Sequence, residues 1–501
     1  MTLIRDSVGQ VLTVLLALTV SVVMPRDDAD ATAPAPRFAD IAAVDRYVEQ
    51  QVAKHGAPGL ALAVTRDDEV LLVKGYGVAG ERPVTARTQF LLGSVSKSFT
   101  AVAVMQLVEA GRVALDEPVT TYLPEFTVAT AGGAVQITVR SLLHQTSGLA
   151  DAGFPAYTLP QPETIAERVQ SLRSAELVST PGTEFHYTDL NYAVLARLVE
   201  VVSGRPFAEI LQDHLFTPLD MTNTSAVSTT AEARRAAPHL AQGHIQLFGM
   251  PIERDELDGY LGGSSGVIST AEDLAGYLIA HNTGGSFNGA QVLSPASVAA
   301  LHRPPPDVDS SYAMGWVLDD DPDGSTVVQH SGVLSTYHAD IALLPQHDYG
   351  IALLYNYNHA LANYAGIRNG IVALLLGEQP AGTGPGAAGT GLILAGLIVV
   401  TSALLYLALR RVPAWARKRR GRPWWRILPG IAWTLLPALL VLALPKLIQL
   451  FADRVFTHYQ ILLSMPDVLV WLGITAVFSL LVGVARLLRL TRGRRRPGLD
   501  M

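Results

Sequence analysis

The chain has 501 residues, no cysteine and a formal net charge of -7. That length exceeds one ordinary domain, and the missing cysteines exclude thiol catalysis, cysteine-zinc sites and disulfides. Charged residues are only 16% and hydrophobic ones 49%, a balance that points to membrane segments and not to disorder.

Up to Pro380 the chain carries 21 basic and 41 acidic residues; after it, 16 basic and 3 acidic, which together make the 37 and 44 of the whole. The acidic body argues against a nucleic-acid partner. Residues 1–33 contain the apolar run Val11 to Met24 after Arg5 and before Ala31-Thr32-Ala33. This is the pattern of a secretory signal peptide, with an uncleaved N-terminal anchor as the alternative; either puts the body of the chain outside the cytoplasm.

Ile41 to Lys54 has helical spacing, and Leu60 to Val64 with Val70 to Gly75 read as a hairpin across Arg66 to Glu69. Val95 to Ala110 holds no proline or glycine and is apolar on nearly every side, so it reads as a buried helix stopped at Gly111. Ser94 opens it and Lys97 follows at i+3, on the same face. Burial disfavours a charged amine, so Lys97 is expected to act as a base toward Ser94. The free N–H groups of the helix start suit an oxyanion.

Ile137 to Leu149 reads as a short helix ending at Gly148, with His144 a core or capping residue. A helix is expected over Ala193 to Val202, closed by Gly204, and Ser269-Thr270-Ala271-Glu272 reads as a capping box. Thr326 to Val328, Asp340 to Leu344 and Gly350 to Tyr355 read as strands, and Leu361 to Leu376 as a helix packed on them. The layout is α+β, an antiparallel sheet assembled from both ends of the domain around a mostly helical subdomain.

Residues 378–389 are a Gly/Pro/Ala linker, and 390–501 form the membrane region. Thr390 to Ala408, Ile427 to Val441 with its extension to Leu450, and Val468 to Leu488 are each long enough to span a bilayer. Arg410 to Arg426 is basic, as is the stretch from Arg489 to Arg496, while the loop between the second and third spans has only Asp453, Arg454 and Asp467. The positive-inside rule makes the basic loop and tail cytoplasmic and the body extracytoplasmic.

Three stretches carry chemistry in order: Ser94-Val95-Ser96-Lys97, Tyr187-Thr188-Asp189 and His330-Ser331-Gly332. With Leu142 to Leu149 and Ser269 to Leu274, they resemble the serine β-lactamase and penicillin-binding-protein superfamily, in its class C β-lactamase-related branch of esterases and D-amino-acid peptidases. The resemblance covers about residues 38–377 and implies a β-lactamase-like fold without metal or cofactor. It implies Ser94 as the acylated nucleophile, Lys97 as an aid in removing its proton, and Tyr187 as the proton shuttle. The backbone N–H groups of Ser94 and Val333 would form the oxyanion hole, and Asp189, His330 and Gly332 would meet substrate.

Two positions depart from the family pattern. Asp189 stands where Asn is usual, which replaces an amide with an acceptor-only carboxylate. His330 stands where the lactamases have a lysine that holds the substrate carboxylate, so that anchor is weakened at neutral pH. The expectation is a membrane-bound serine hydrolase of small ester or peptide substrates and a poor β-lactamase. The alternative is a non-hydrolytic cell-wall sensor. Gly262-x-Ser264-x-Gly266 offers a rival nucleophile elbow, which needs a strand running straight into it and a helix straight out. Natural substrate and oligomeric state are not set by the sequence.

Overall fold

The computed structural model describes residues 40–129, 136–320 and 324–492. The export segment and Arg494 to Arg496 lie outside the described residues.

Helix α1 (Ile41–His55) leads into β1 (Gly59–Arg66), β2 (Glu69–Ala79) and β3 (Arg82–Pro83). Near the other end of the same domain come β4 (Val317–Asp320), β5 (Thr326–Val333), β6 (His338–Leu344) and β7 (Tyr349–Tyr355). They form one seven-stranded sheet in the order β4-β5-β6-β7-β1-β2-β3. β1 closes it by pairing antiparallel to both β7 and β2, Leu62 opposite Leu353 and Lys74. The two ends of the domain therefore do share a sheet, with one more C-terminal strand than the three expected.

Strand periodicity explains how both faces are covered. Leu60, Leu62 and Val64 point to the core under α1 and the C-terminal helix Tyr364–Leu375, while Ala61 and Ala63 belong to the larger core on the other face. Small side chains on that face let Ala271–Asn282 lie close against it.

The helical subdomain is built on α2 (Ser96–Glu109), whose first ten residues are all buried. A helix with no polar face can be placed only in the middle of a domain. Beside it runs α3 (Asp189–Ser203), which begins four residues before the expected Ala193 because Thr188 supplies an N-cap, its side chain accepting from Leu190 N. Gly204, at φ 72°, ends it. The capping box at Ser269 is displaced as well. Thr270 is the N-cap, accepting from Asp273 N, and Ser269 is the last residue of strand Val267–Ser269. Glu272 pairs with Arg87 instead. His144 caps the C-terminus of the short helix Val139–Leu143 and is buried.

After Tyr364–Leu375 the chain crosses residues 378–386, where Thr383 is buried and held by Lys54 and Gln51. Three helices long and apolar enough to cross a membrane come next: Ala387–Arg410, Leu428–Ala452 and Pro466–Thr491. The second is interrupted by a 3-10 turn at Trp433–Leu435, just before Pro437, whose missing N–H breaks the α pattern. These helices are docked on the preceding domain: Ala360 N donates to Ser464 O at 2.7 Å, and His359 meets Asp467 at 3.1 Å.

Candidate active site

Ser94 lies in a 3-10 turn, Gly93–Val95, that runs directly into α2. Lys97 is one turn on, and its Nζ donates to Ser94 Oγ at 2.9 Å. Lys97 is completely buried, with 0% exposure, so its three protons must all find acceptors. The other two partners are Asp189 Oδ1 at 2.5 Å and the Ser264 carbonyl at 3.2 Å.

This corrects the expectation that burial makes Lys97 a neutral base. Burial does pull the ammonium down, but Asp189 and Tyr187 outweigh it and hold Lys97 above the ordinary amine value. Burial pushes the Asp189 carboxyl the other way, yet Lys97 and Arg454 hold it well below the usual carboxylate range. The pair is therefore ammonium and carboxylate, and Lys97 donates to Ser94 instead of accepting from it.

Tyr187 precedes Thr188, the extended N-cap of α3. Lys97 Nζ sits 4.9 Å from the centroid of its ring. The Tyr312 and His330 rings stand beside it at 5.7 and 6.3 Å. His330 is buried, its Nδ1 at 2.8 Å from the Ser331 carbonyl. Burial, aided by Lys97, lowers its pKa to about 3, so the ring is neutral at ordinary pH.

The edge of β5 closes the site. A Cβ on Gly332 would lie 1.8 Å from Leu92 O and 3.1 Å from Ser94 N, and a Cβ on Gly93 would lie 3.0 Å from Val333 N. Only glycine lets this strand come so close to the serine turn. The Val333 backbone thus lies beside the serine turn.

Asp189, expected to meet substrate, is occupied internally, by Lys97, by the Tyr157 hydroxyl and by Arg454 Nη2 at 3.0 Å. No sequence motif points to Tyr157 or Arg454. Ser264 is buried, and its loop leads into the short strand Val267–Ser269 before any helix, so the nucleophile elbow is absent there. Its carbonyl, not its hydroxyl, meets Lys97. No group of three or more metal-ligating side chains gathers among the described residues.

A family model described as Beta-lactamase matches residues 44–373, about two thirds of the chain. The chain belongs to the Beta-lactamase family. Penicillin-binding protein 4 of Amycolatopsis lactamdurans is 32% identical over 321 residues, which cover 60% of this chain and 82% of that protein. Protein flp of Staphylococcus aureus (strain MW2) is 26% identical over 321 residues, 63% of each chain. The chain thus spans less than two thirds of the length of that relative. Among solved structures, the octameric penicillin-binding protein homologue from Pyrococcus abyssi superposes with a TM-score of 0.59 at 25% identity, covering 69% of this chain and 79% of its own. The β-lactamase/D-alanine carboxypeptidase from Yersinia pestis gives 0.54 at 22%, over 67% and 99%. The domain before residue 378 has the β-lactamase-like fold expected from its motifs, followed by three apolar helices that this likeness does not cover.

Proposed function

We propose that the chain is a membrane-anchored serine hydrolase that forms an acyl intermediate on Ser94 and acts on small esters or D-amino-acid peptides outside the cytoplasm. The observation that carries this reading is the contact of Ser94 Oγ with a fully buried Lys97 that also faces Tyr187. With Lys97 held as an ammonium, Tyr187 is the group left to take the proton of Ser94. The carbonyl oxygen of the substrate takes up negative charge against the N–H groups of Ser94 and Val333. Tyr187 then returns its proton to the leaving group and draws one from the hydrolytic water. The Yersinia pestis neighbour, named for β-lactamase and D-alanine carboxypeptidase activity, and the hydrolase EstCE1, named for promiscuous acyltransferase activity, make acyl transfer to and from serine the natural class.

The neutral, buried His330 lacks the charge to hold a carboxylate, so β-lactams should be poor substrates. Three apolar helices with a basic loop between the first two support a catalytic domain outside and the basic loop and tail inside. Steady-state rates of the full chain on a panel of p-nitrophenyl esters, D-alanyl peptides and nitrocefin test this. The reading expects ester or peptide turnover that Ser94→Ala abolishes, with nitrocefin slower. Nitrocefin turned over fastest refutes the substrate assignment. Tight binding of one of them without turnover would favour the sensor.

A further inference from the structure

The second apolar helix ends at Asp453, whose φ of 53° turns the chain left-handed while its N–H still bonds Gln449 O. Four residues later Thr457 caps the next helix, His458–Ser464, in a reciprocal capping box with Gln460. A turn fixed by helix caps at both ends has little freedom, and it aims Arg454 back toward the outer domain. Asp453 Oδ2 lies 2.7 Å from His186 Nδ1, and Val455 N donates to Asp151 Oδ2 at 3.3 Å.

Arg454 enters the site itself. Its Nε donates to Asp151 Oδ2 at 2.8 Å and its Nη2 to Asp189 Oδ2 at 3.0 Å, with the side chain 16% exposed. Its guanidinium carbon stands 5.2 Å from the Tyr187 ring centroid. One arginine from the membrane region thus bridges two carboxylates of the outer domain and covers the tyrosine next to the serine.

We propose that Arg454 is a positioning residue of the Ser94 centre, so that the centre is complete only when the turn between the second and third apolar helices is docked on the outer domain. The inference rests on the acyl-serine reading. Two carboxylates, Asp151 and Asp189, face Lys97 and Arg454, and the buried Arg168 also acts on Asp189 and Tyr157. The other groups around the Tyr187 ring, His330, Tyr312 and Tyr192, are neutral at ordinary pH. Asp189 offers one oxygen to Lys97 and the other to Arg454 and Tyr157, which fixes the carboxylate plane and through it the ammonium. Without Arg454, Asp189 loses one of its two directly bonded cations and is free to turn, and the ammonium that faces Ser94 and Tyr187 loses its fixed position.

The test measures phosphonylation of Ser94 by a fluorophosphonate probe against pH, with the full chain in lipid nanodiscs, for wild type, Arg454→Gln and Arg454→Lys. The expected result is a rate about tenfold or more lower in Arg454→Gln at neutral pH, with the ascending limb of the profile moved to higher pH, as loss of a cation beside the base requires. Arg454→Lys restores the charge without the planar fork and should recover part of the rate and most of the limb position. Since the chain has no cysteine of its own, His186→Cys with Asp453→Cys reports docking in the bilayer, and a short bis-methanethiosulfonate, which releases sulfinate as each disulfide forms, should join them. An unchanged limb, a faster Arg454→Gln, or no cross-link would overturn the inference alone. A wild-type chain that the probe does not label at Ser94 would overturn the hydrolase reading, and the inference with it.

Discussion

At the scale of single residues, the centre is governed by which proton sits where. Spacing puts Ser94 and Lys97 on one helical face, and they are within 2.9 Å, but spacing cannot give the state of the amine. Asp189 decides that, by outweighing the burial of Lys97. Asp189→Asn removes the charge that raises the Lys97 pKa, so the ammonium is lost at lower pH. The descending limb of kcat/KM against pH should then move down; a limb that stays in place would show that Lys97 does not titrate there. Gly332 is expected from its motif to meet substrate, yet its role in the structure is to let β5 reach the serine turn. Gly332→Ala forces a methyl group against Leu92 O. Loss of an aligned oxyanion donor should slow acylation by on the order of 100-fold, measurable with an activated ester.

Elements explain why some boundaries are legible in the sequence and others not. The helix after Ser94 is legible because nothing interrupts its apolar run, and Gly204 marks the end of α3 by its left-handed φ. The start of α3 is easily misplaced because Thr188 and Asp189 look like part of a loop motif, although Thr188 is also a good N-cap. Its hydroxyl both caps Leu190 N and donates to Asp151 Oδ1 at 2.9 Å. Thr188→Ala should therefore cost about 1–2 kcal/mol in urea unfolding, while Ser94→Ala, at a partly exposed position, should cost far less. Equal losses would contradict the capping role. Capping also misleads at Ser269, where a strand claims the serine and passes the cap to Thr270.

The whole molecule joins distant parts of the chain. The seven-stranded sheet is legible in outline because its strands stand out as β-branched and apolar runs between turns, with β1 from the N-terminal side lying between β7 and β2. Arg454 is not, since it lies 265 residues from Asp189 and on the far side of two apolar helices. The one signal for it is a charged pair, Asp453-Arg454, isolated in an otherwise uncharged turn, and such a residue needs partners that only the fold reveals. Because Arg454 touches Asp151 and Asp189, the turn that carries it lies on the same face of the three apolar helices as the domain before residue 378. Single cysteines at Gly382 and Arg420, both exposed, should report opposite sides: a membrane-impermeant maleimide should label Gly382→Cys on intact cells and Arg420→Cys only after permeabilisation. Labelling of Arg420→Cys on intact cells would reverse the topology.

The proposed chemistry comes down to one oxygen atom. Incubating the full chain with a fluorophosphonate and mapping the adduct by peptide mass spectrometry tests it most directly. The acyl-serine mechanism predicts a single stoichiometric adduct on Ser94, absent from Ser94→Ala. An adduct on Ser264, or none on a folded chain, would contradict it.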